Sequence, residues 1–170
     1  MKLIILMLIM FLPLTSFAHD EHAGNVDSII KIQYGIAMTP KLFNSSVKSV
    51  NIGYYSNLRK ALSWNVNGGY FGDNNDDVNA GYACAQFGAA LHPFSWAFVE
   101  NYFGPCYFHG LEDSKKLSGN LQFATNIGAG WRDPETGSEI GLNFKHFSNA
   151  GIKKPNLGVD LFMLSLAFGL

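Results

Sequence analysis

Leu121-Gln122-Phe123-Ala124-Thr125-Asn126-Ile127-Gly128-Ala129-Gly130-Trp131 is the stretch whose reading decides the fold. Leu121, Phe123, Thr125, Ile127, Ala129 and Trp131 share one parity, and Asn120, Gln122, Ala124, Asn126, Gly128 and Gly130 share the other. A period of two puts successive side chains on opposite faces of an extended chain, so this is a strand with one apolar face and one small or polar face. The pattern recurs on both sides. Downstream, Ile140, Leu142 and Phe144 alternate with Glu139, Gly141, Asn143 and Lys145 across Glu139 to Ser148. Phe162, Leu164, Leu166, Phe168 and Leu170 then alternate with Leu161, Met163, Ser165, Ala167 and Gly169 from Asp160 to the end.

Upstream, Ile30, Ile32, Tyr34, Ile36 and Met38 are in phase, as are Val50, Ile52 and Tyr54 in a segment from Val47 to Ser56. Trp64, Val66 and Tyr70 share a face between Ser63 and Phe71. From Val78 to Leu91, Ala83, Ala85, Phe87, Ala89 and Leu91 oppose Tyr82, Cys84, Gln86 and Gly88. His92-Pro93-Phe94-Ser95 is expected to close that strand, because proline cannot donate to a ladder, and His92 reads as a turn residue. A further strand begins at Trp96, and Gly104-Pro105 is expected to interrupt it. Glu100 within it reads as an acid facing a polar interior. The count is eight strands.

Alternation alone also suits a soluble β-sandwich. An even strand number, segments of about 9–11 residues able to cross a bilayer when tilted, and aromatics near strand ends favour a barrel of the bacterial outer membrane. Frequent Gly, Ala and Ser on the polar face fit the narrow lumen of an eight-stranded barrel. The expected fold is therefore all-β, an eight-stranded antiparallel transmembrane β-barrel. With both mature ends periplasmic, Asn57–Leu62, His92–Ser95 and Arg132–Ser138 fall at the short periplasmic turns, and the longer breaks face outward.

Residues Met1 to Ala18 carry Lys2 as their only charge, an apolar run from Leu3 to Leu12 and Ser16-Phe17-Ala18 as a small-x-small cleavage site. This predicts a signal peptide over 1–18; the apolar run is too short for a helix across a hydrocarbon layer of about 30 Å. A short periplasmic leader over 19–27, including His19-Asp20-Glu21-His22, then precedes the barrel over 28–170. Twelve Lys+Arg against 13 Asp+Glu leave a near-zero net charge and no basic stripe, which argues against a nucleic-acid partner. The acidic loop Gly72 to Asp77 lacks the ligand spacing of a calcium hand and reads as a solvated hairpin tip, and His109 with Glu112 to Lys116 as a charged loop. Export permits a disulfide between Cys84 and Cys106, and the sequence leaves that pairing open.

The reactive groups gather between His146 and Asp160. His146 and Ser148 continue the outward parity of Ile140, Leu142 and Phe144, and Asp160 shares the parity of Phe162 and Leu164, so all three are expected on the lipid-facing side at the extracellular end of neighbouring strands. Residues two apart on a strand are about 6.5–7 Å apart between Cα atoms, within side-chain reach. A histidine and an acid at an apolar rim are costly unless paired, and such groups mark function by default. An interfacial polar collar is the plainer reading of the same spacing, since His-x-Ser is a common coincidence.

His146-Phe147-Ser148-Asn149-Ala150-Gly151, with Lys153-Lys154-Pro155-Asn156-x-Gly158, resembles the C-terminal signature of the PagL family, outer-membrane lipid A 3-O-deacylases. The resemblance implies an eight-stranded barrel hydrolysing the acyl ester at position 3 of lipid A through a Ser-His-Glu triad, with Ser148 as nucleophile, His146 as base and Asp160 where the family usually has Glu. It further implies oxyanion donors among Asn156, Asn149 and Gly151, with Asn156 the first choice. Lys153 and Lys154 are candidates for the substrate's phosphates. No metal and no cofactor is expected. Lipid A or lipopolysaccharide is the expected substrate partner within outer-membrane lipid, a homodimer is an admitted assembly, and the site lies at the extracellular side of the outer membrane. The alternative is a non-enzymatic small outer-membrane barrel with a structural or adhesive role.

Overall fold

The computed structural model describes residues 27–38, 47–59, 61–72, 79–110, 118–154, 156 and 158–170. The expectations for the signal peptide, the His19–His22 cluster, the acidic tip at 73–77 and the charged loop at 112–116 lie outside those residues. Eight strands form one closed antiparallel barrel in sequence order: β1 (Ser28–Ala37), β2 (Lys48–Arg59), β3 (Leu62–Gly72), β4 (Asn79–Phe94), β5 (Ala97–His109), β6 (Leu121–Arg132), β7 (Glu139–Ser148) and β8 (Val159–Gly169). Pairing of β1 with β8, from Ile29 opposite Gly169 to Ala37 opposite Leu161, closes it and leaves no free sheet edge.

The alternation is read out inside-out relative to a soluble protein. Ile30, Ile32, Tyr34 and Ile36 are exposed, whereas Lys31 and Gln33 between them are 0% exposed. The lumen is filled by side chains, as expected: small inward residues such as Gly128, Gly130 and Gly141 leave room beside larger ones, and Tyr102, Phe71, Phe98, Phe108, Phe147, Leu161 and Met163 are among its largest fully buried side chains. The interior is zoned. Phe71, Tyr82, Phe108 and Phe147 pack ring on ring at the end where β7 runs into β8. Toward the end holding Ser28 and Gly169, Lys31 Nζ donates to Glu100 Oε2 at 2.7 Å, and Asn143 Nδ2 donates to Glu100 Oε1 at 2.6 Å. Glu100 thus points into a polar interior, as expected.

His92 is not a turn residue. It sits within β4, where Arg132 Nη1 donates to its Nε2 at 2.7 Å, and Arg132 also lies 3.5 Å from Glu139. The ladder to β5 shifts register between Leu91 and Phe94, and that bulge lets the strand pass Pro93. Nor does Gly104-Pro105 break β5. Both residues stay paired to β6, opposite Ala124 and Phe123. What gives way is the ladder to β4, where partners are missing between Cys84–Cys106 and Phe87–Phe103. A Cβ at Gly104 would run into the Ala85 carbonyl oxygen, so glycine is what lets β5 close on β4 there. The open question about the cysteines is answered at this spot, where a Cys84–Cys106 disulfide bridges the two strands inside the lumen.

The hairpins divide as expected. The β2–β3, β4–β5 and β6–β7 connections lie at the end that holds Ser28 and Gly169, and the β7–β8 connection lies at the opposite end.

Candidate active site

β7 and β8 pair so that His146 stands directly opposite Asp160. Both side chains project outward, about one-third exposed, and His146 Nδ1 lies 2.6 Å from Asp160 Oδ1. Directly opposed residues have Cβ atoms roughly 4.5–5.5 Å apart, a gap that an aspartate spans without a further methylene. Asp160 is fixed in turn because its carbonyl accepts the Met38 N–H at 2.8 Å. With Nδ1 committed to the carboxylate, Nε2 is the ring nitrogen left to act on another group.

Ser148 lies two residues along β7, half-buried and opposite Phe123 of β6. Among the described residues its hydroxyl makes no hydrogen bond to His146, so the structure joins acid and histidine and leaves the serine hydroxyl free to turn. Between them Phe147 points the other way and is fully buried, its ring centroid 5.1 Å from that of Tyr82 and 5.2 Å from that of Phe108. The two reactive side chains thus flank a residue riveted into the lumen.

The chain turns back at Asn149-Ala150-Gly151-Ile152. Ala150 and Gly151 have φ of 54° and 82°, and Ile152 N–H donates to the Asn149 carbonyl at 3.0 Å, as in a type I′ turn. Asn149 is the knot of this end. Its Nδ2 donates to the carbonyls of Lys153 at 2.6 Å and Ser118 at 2.8 Å, tying the β7–β8 turn to the segment before β6, and its Oδ1 accepts the Gly151 N–H at 2.9 Å. Its own backbone N–H donates to Asn156 Oδ1 at 3.0 Å. That donor fixes which end of the Asn156 amide faces inward, so Asn156 Nδ2 is turned the other way and has no partner among the described residues. Of the three expected oxyanion donors, the Asn149 side chain and the Gly151 N–H are therefore committed to the turn. Lys153 and Lys154 are exposed on the same loop.

Sequence reasoning missed the surface beside this cluster. From Ser148 the outward row runs through Phe123 to Pro105. Beyond it lies an open groove of about 590 Å³ lined by Val66, Gly68, Ala83, Ala85, Pro105 and Tyr107, among others. Its floor is low because outward positions of β3 and β4 are Gly and Ala, a signal present in the alternation but easily read as mere filler. Phe123, whose ring stacks on that of Phe103 with centroids 5.9 Å apart, stands between groove and serine. Among the described residues no group of three or more His, Cys, Asp or Glu is placed to hold a metal ion.

The comparisons with known proteins fit this architecture. A family model described as lipid A 3-O-deacylase (PagL) matches residues 32–169. A lipid A deacylase PagL of Bordetella bronchiseptica is 34% identical over 86 residues, covering 47% of this chain and 48% of the relative. One of Pseudomonas aeruginosa is 35% identical over 68 residues, 39% of each chain. The matched stretches thus span half or less of these curated relatives. A crystal structure of the outer membrane enzyme PagL superposes with a TM-score of 0.65 at 21% identity, over 84% of this chain and 99% of that one.

Proposed function

The chain belongs to the PagL family of lipid A 3-O-deacylases, and from that premise we propose that it is an outer-membrane esterase releasing the 3-hydroxyacyl chain ester-linked at position 3 of lipid A. The observation that carries the reading is the His146–Asp160 pair, 2.6 Å apart, on the outward face one step from Ser148. A histidine hydrogen-bonded to a carboxylate has little reason to stand on the lipid side of a barrel unless it does chemistry.

In this mechanism Asp160 holds His146 with Nδ1–H toward the carboxylate and Nε2 unprotonated. Ser148 turns its Oγ to Nε2, gives up its proton there and attacks the acyl carbonyl. Asn156 Nδ2, the donor left free by the Asn149 knot, supports the oxyanion. The intermediate collapses as His146 passes the proton to the departing sugar oxygen, leaving an acyl-Ser148 ester. A water deprotonated by His146 then releases the fatty acid and restores the serine. The groove beyond Phe123 offers an apolar bed for the chain being removed, and Lys153 and Lys154 face the headgroup phosphates. On this reading the β7–β8 turn stands at the extracellular rim, within reach of lipid A in the outer leaflet, after loss of a signal peptide over residues 1–18.

The test is mass spectrometry of lipid A from outer membranes carrying the protein. Wild type is expected to yield a species lacking one 3-hydroxyacyl chain, and Ser148→Ala none. Unchanged lipid A with the wild-type barrel, or equal deacylation by Ser148→Ala, would overturn the proposal.

A further inference from the structure

Gly158 precedes β8, is buried, and has a left-handed φ of +69°. A Cβ placed there would stand 2.8 Å from His146 Cε1, 3.5 Å from its Nε2 and 3.3 Å from the Phe147 carbonyl oxygen. The ring carbon approached is the one that lies between the two nitrogens, so an intruding methyl presses on the edge that must serve Asp160 and Ser148 together. The imidazole has little freedom to retreat. Its Nδ1 is held by Asp160, and its backbone is in register with Asp160 on one side and Thr125 on the other.

Resting on the esterase reading above, we propose that Gly158 is a positioning residue: the absence of a side chain there lets the His146 ring lie with Nδ1 on the carboxylate and Nε2 open toward the serine. Two explanations of the glycine make different predictions. If only the left-handed backbone mattered, asparagine, which tolerates that region, would substitute well. If the ring needs the space, any Cβ displaces it, in asparagine as in alanine.

Gly158→Ala and Gly158→Asn are therefore compared with Gly119→Ala. Gly119 shares the left-handed backbone at φ +84°, and a Cβ there would meet only the Lys153 Cδ at an ordinary 3.6 Å. Heat-modifiable gel mobility reports folding, and lipid A turnover gives kcat and KM. Labelling of Ser148 by a small fluorophosphonate reports activation of the serine without lipid A. Both Gly158 variants are expected to lose about 10²-fold in kcat and in labelling rate with KM little changed, a ring displaced by an ångström costing roughly that much. Gly119→Ala is expected to keep both. A folded Gly158→Asn barrel with wild-type turnover and labelling overturns the inference.

Should the Gly158 variants fold poorly, a stability cycle decides instead. The drop in urea midpoint caused by Gly158→Ala is expected to shrink when His146 is also replaced by Ala, because the obstructing ring is gone. An equal drop in both backgrounds overturns the inference. Since the cycle reads stability alone, its outcome stands whether or not lipid A proves to be the substrate.

Discussion

At the residue scale, Asp160 carries the sharpest expectation. Asp160 stands where the family resemblance implies a glutamate, yet direct opposition to His146 brings its oxygen to 2.6 Å from Nδ1. The shorter acid therefore reaches unaided, and Asp160→Glu is expected not to raise deacylation; a several-fold rise would mean that the aspartate underperforms. Asp160→Asn keeps the shape but loses the charge that selects the ring's tautomer. It is expected to lower kcat by about 10²–10⁴ with KM little changed, in line with the loss when a triad acid becomes an amide. Initial rates on purified lipid A separate the two constants. Ala150 is a different case. At φ 54° it holds a left-handed turn conformation that glycine or asparagine adopts with less strain. Ala150→Asn is expected to stabilise the barrel by about 0.5–1 kcal/mol, read as a higher urea midpoint. The site was partly legible at this scale: parity put His146, Ser148 and Asp160 on one face. The commitment of Asn149 and Gly151 to turn geometry was not, because hydrogen-bond partners such as the Ser118 carbonyl lie 31 residues away along the chain.

At the scale of elements, β7 shows how one strand serves two environments. Phe147 fills the aromatic end of the lumen while its neighbours His146 and Ser148 face out, so packing inside sets aim outside. Phe147→Ala is expected to cost roughly 3–5 kcal/mol, the usual penalty for emptying a buried aromatic site. It should also lower turnover in the barrels that remain folded, and Phe147→Leu should keep most of both. Unfolding curves and turnover of the folded fraction check this, and full turnover in folded Phe147→Ala would show that the strand needs no such anchor. β5 is where the sequence misled. Proline forbids one ladder bond, but a barrel strand has two neighbours, and Pro105 keeps its place opposite Phe123 while the β4 side gives way. The Cys84–Cys106 bridge spans that weak seam, closing a separation of 22 residues. Replacing both cysteines by alanine is expected to lower stability by about 3 kcal/mol, the chain-entropy value for a loop of this order, with turnover retained in folded protein. Neither the seam nor its staple could be read from spacing, since nothing local fixes which strands approach.

At the scale of the molecule, closure of the sheet decides where chemistry can happen. The lumen is occupied by buried rings at one end and by Lys31, Glu100, Asn143, Arg132 and Glu139 at the other, where a remaining cavity of about 20 Å³ has room for roughly one water. Parity announced the inward polar face but not its partners, because Lys31 meets Glu100 across 69 residues of chain. A substrate therefore cannot thread the barrel and must come to its outer wall, which is where the His146–Asp160 pair and the groove lie. The groove's depth comes from outward Gly68, Ala83 and Ala85, so adding bulk there should change what fits without touching His146, Ser148 or Asp160. Ala85→Phe is expected to shift preference toward shorter 3-hydroxyacyl chains, lowering kcat/KM for long-chain lipid A several-fold. Filling part of an apolar pocket changes such discrimination by about 1–3 kcal/mol. Fluorophosphonate labelling of Ser148 should stay at the wild-type rate, since Ser148, His146 and Asp160 are untouched. Competition between lipid A species of different chain length, followed by mass spectrometry, reads the ratio directly. An unchanged ratio in a folded Ala85→Phe barrel would mean that the acyl chain leaves Ser148 along another path on the wall.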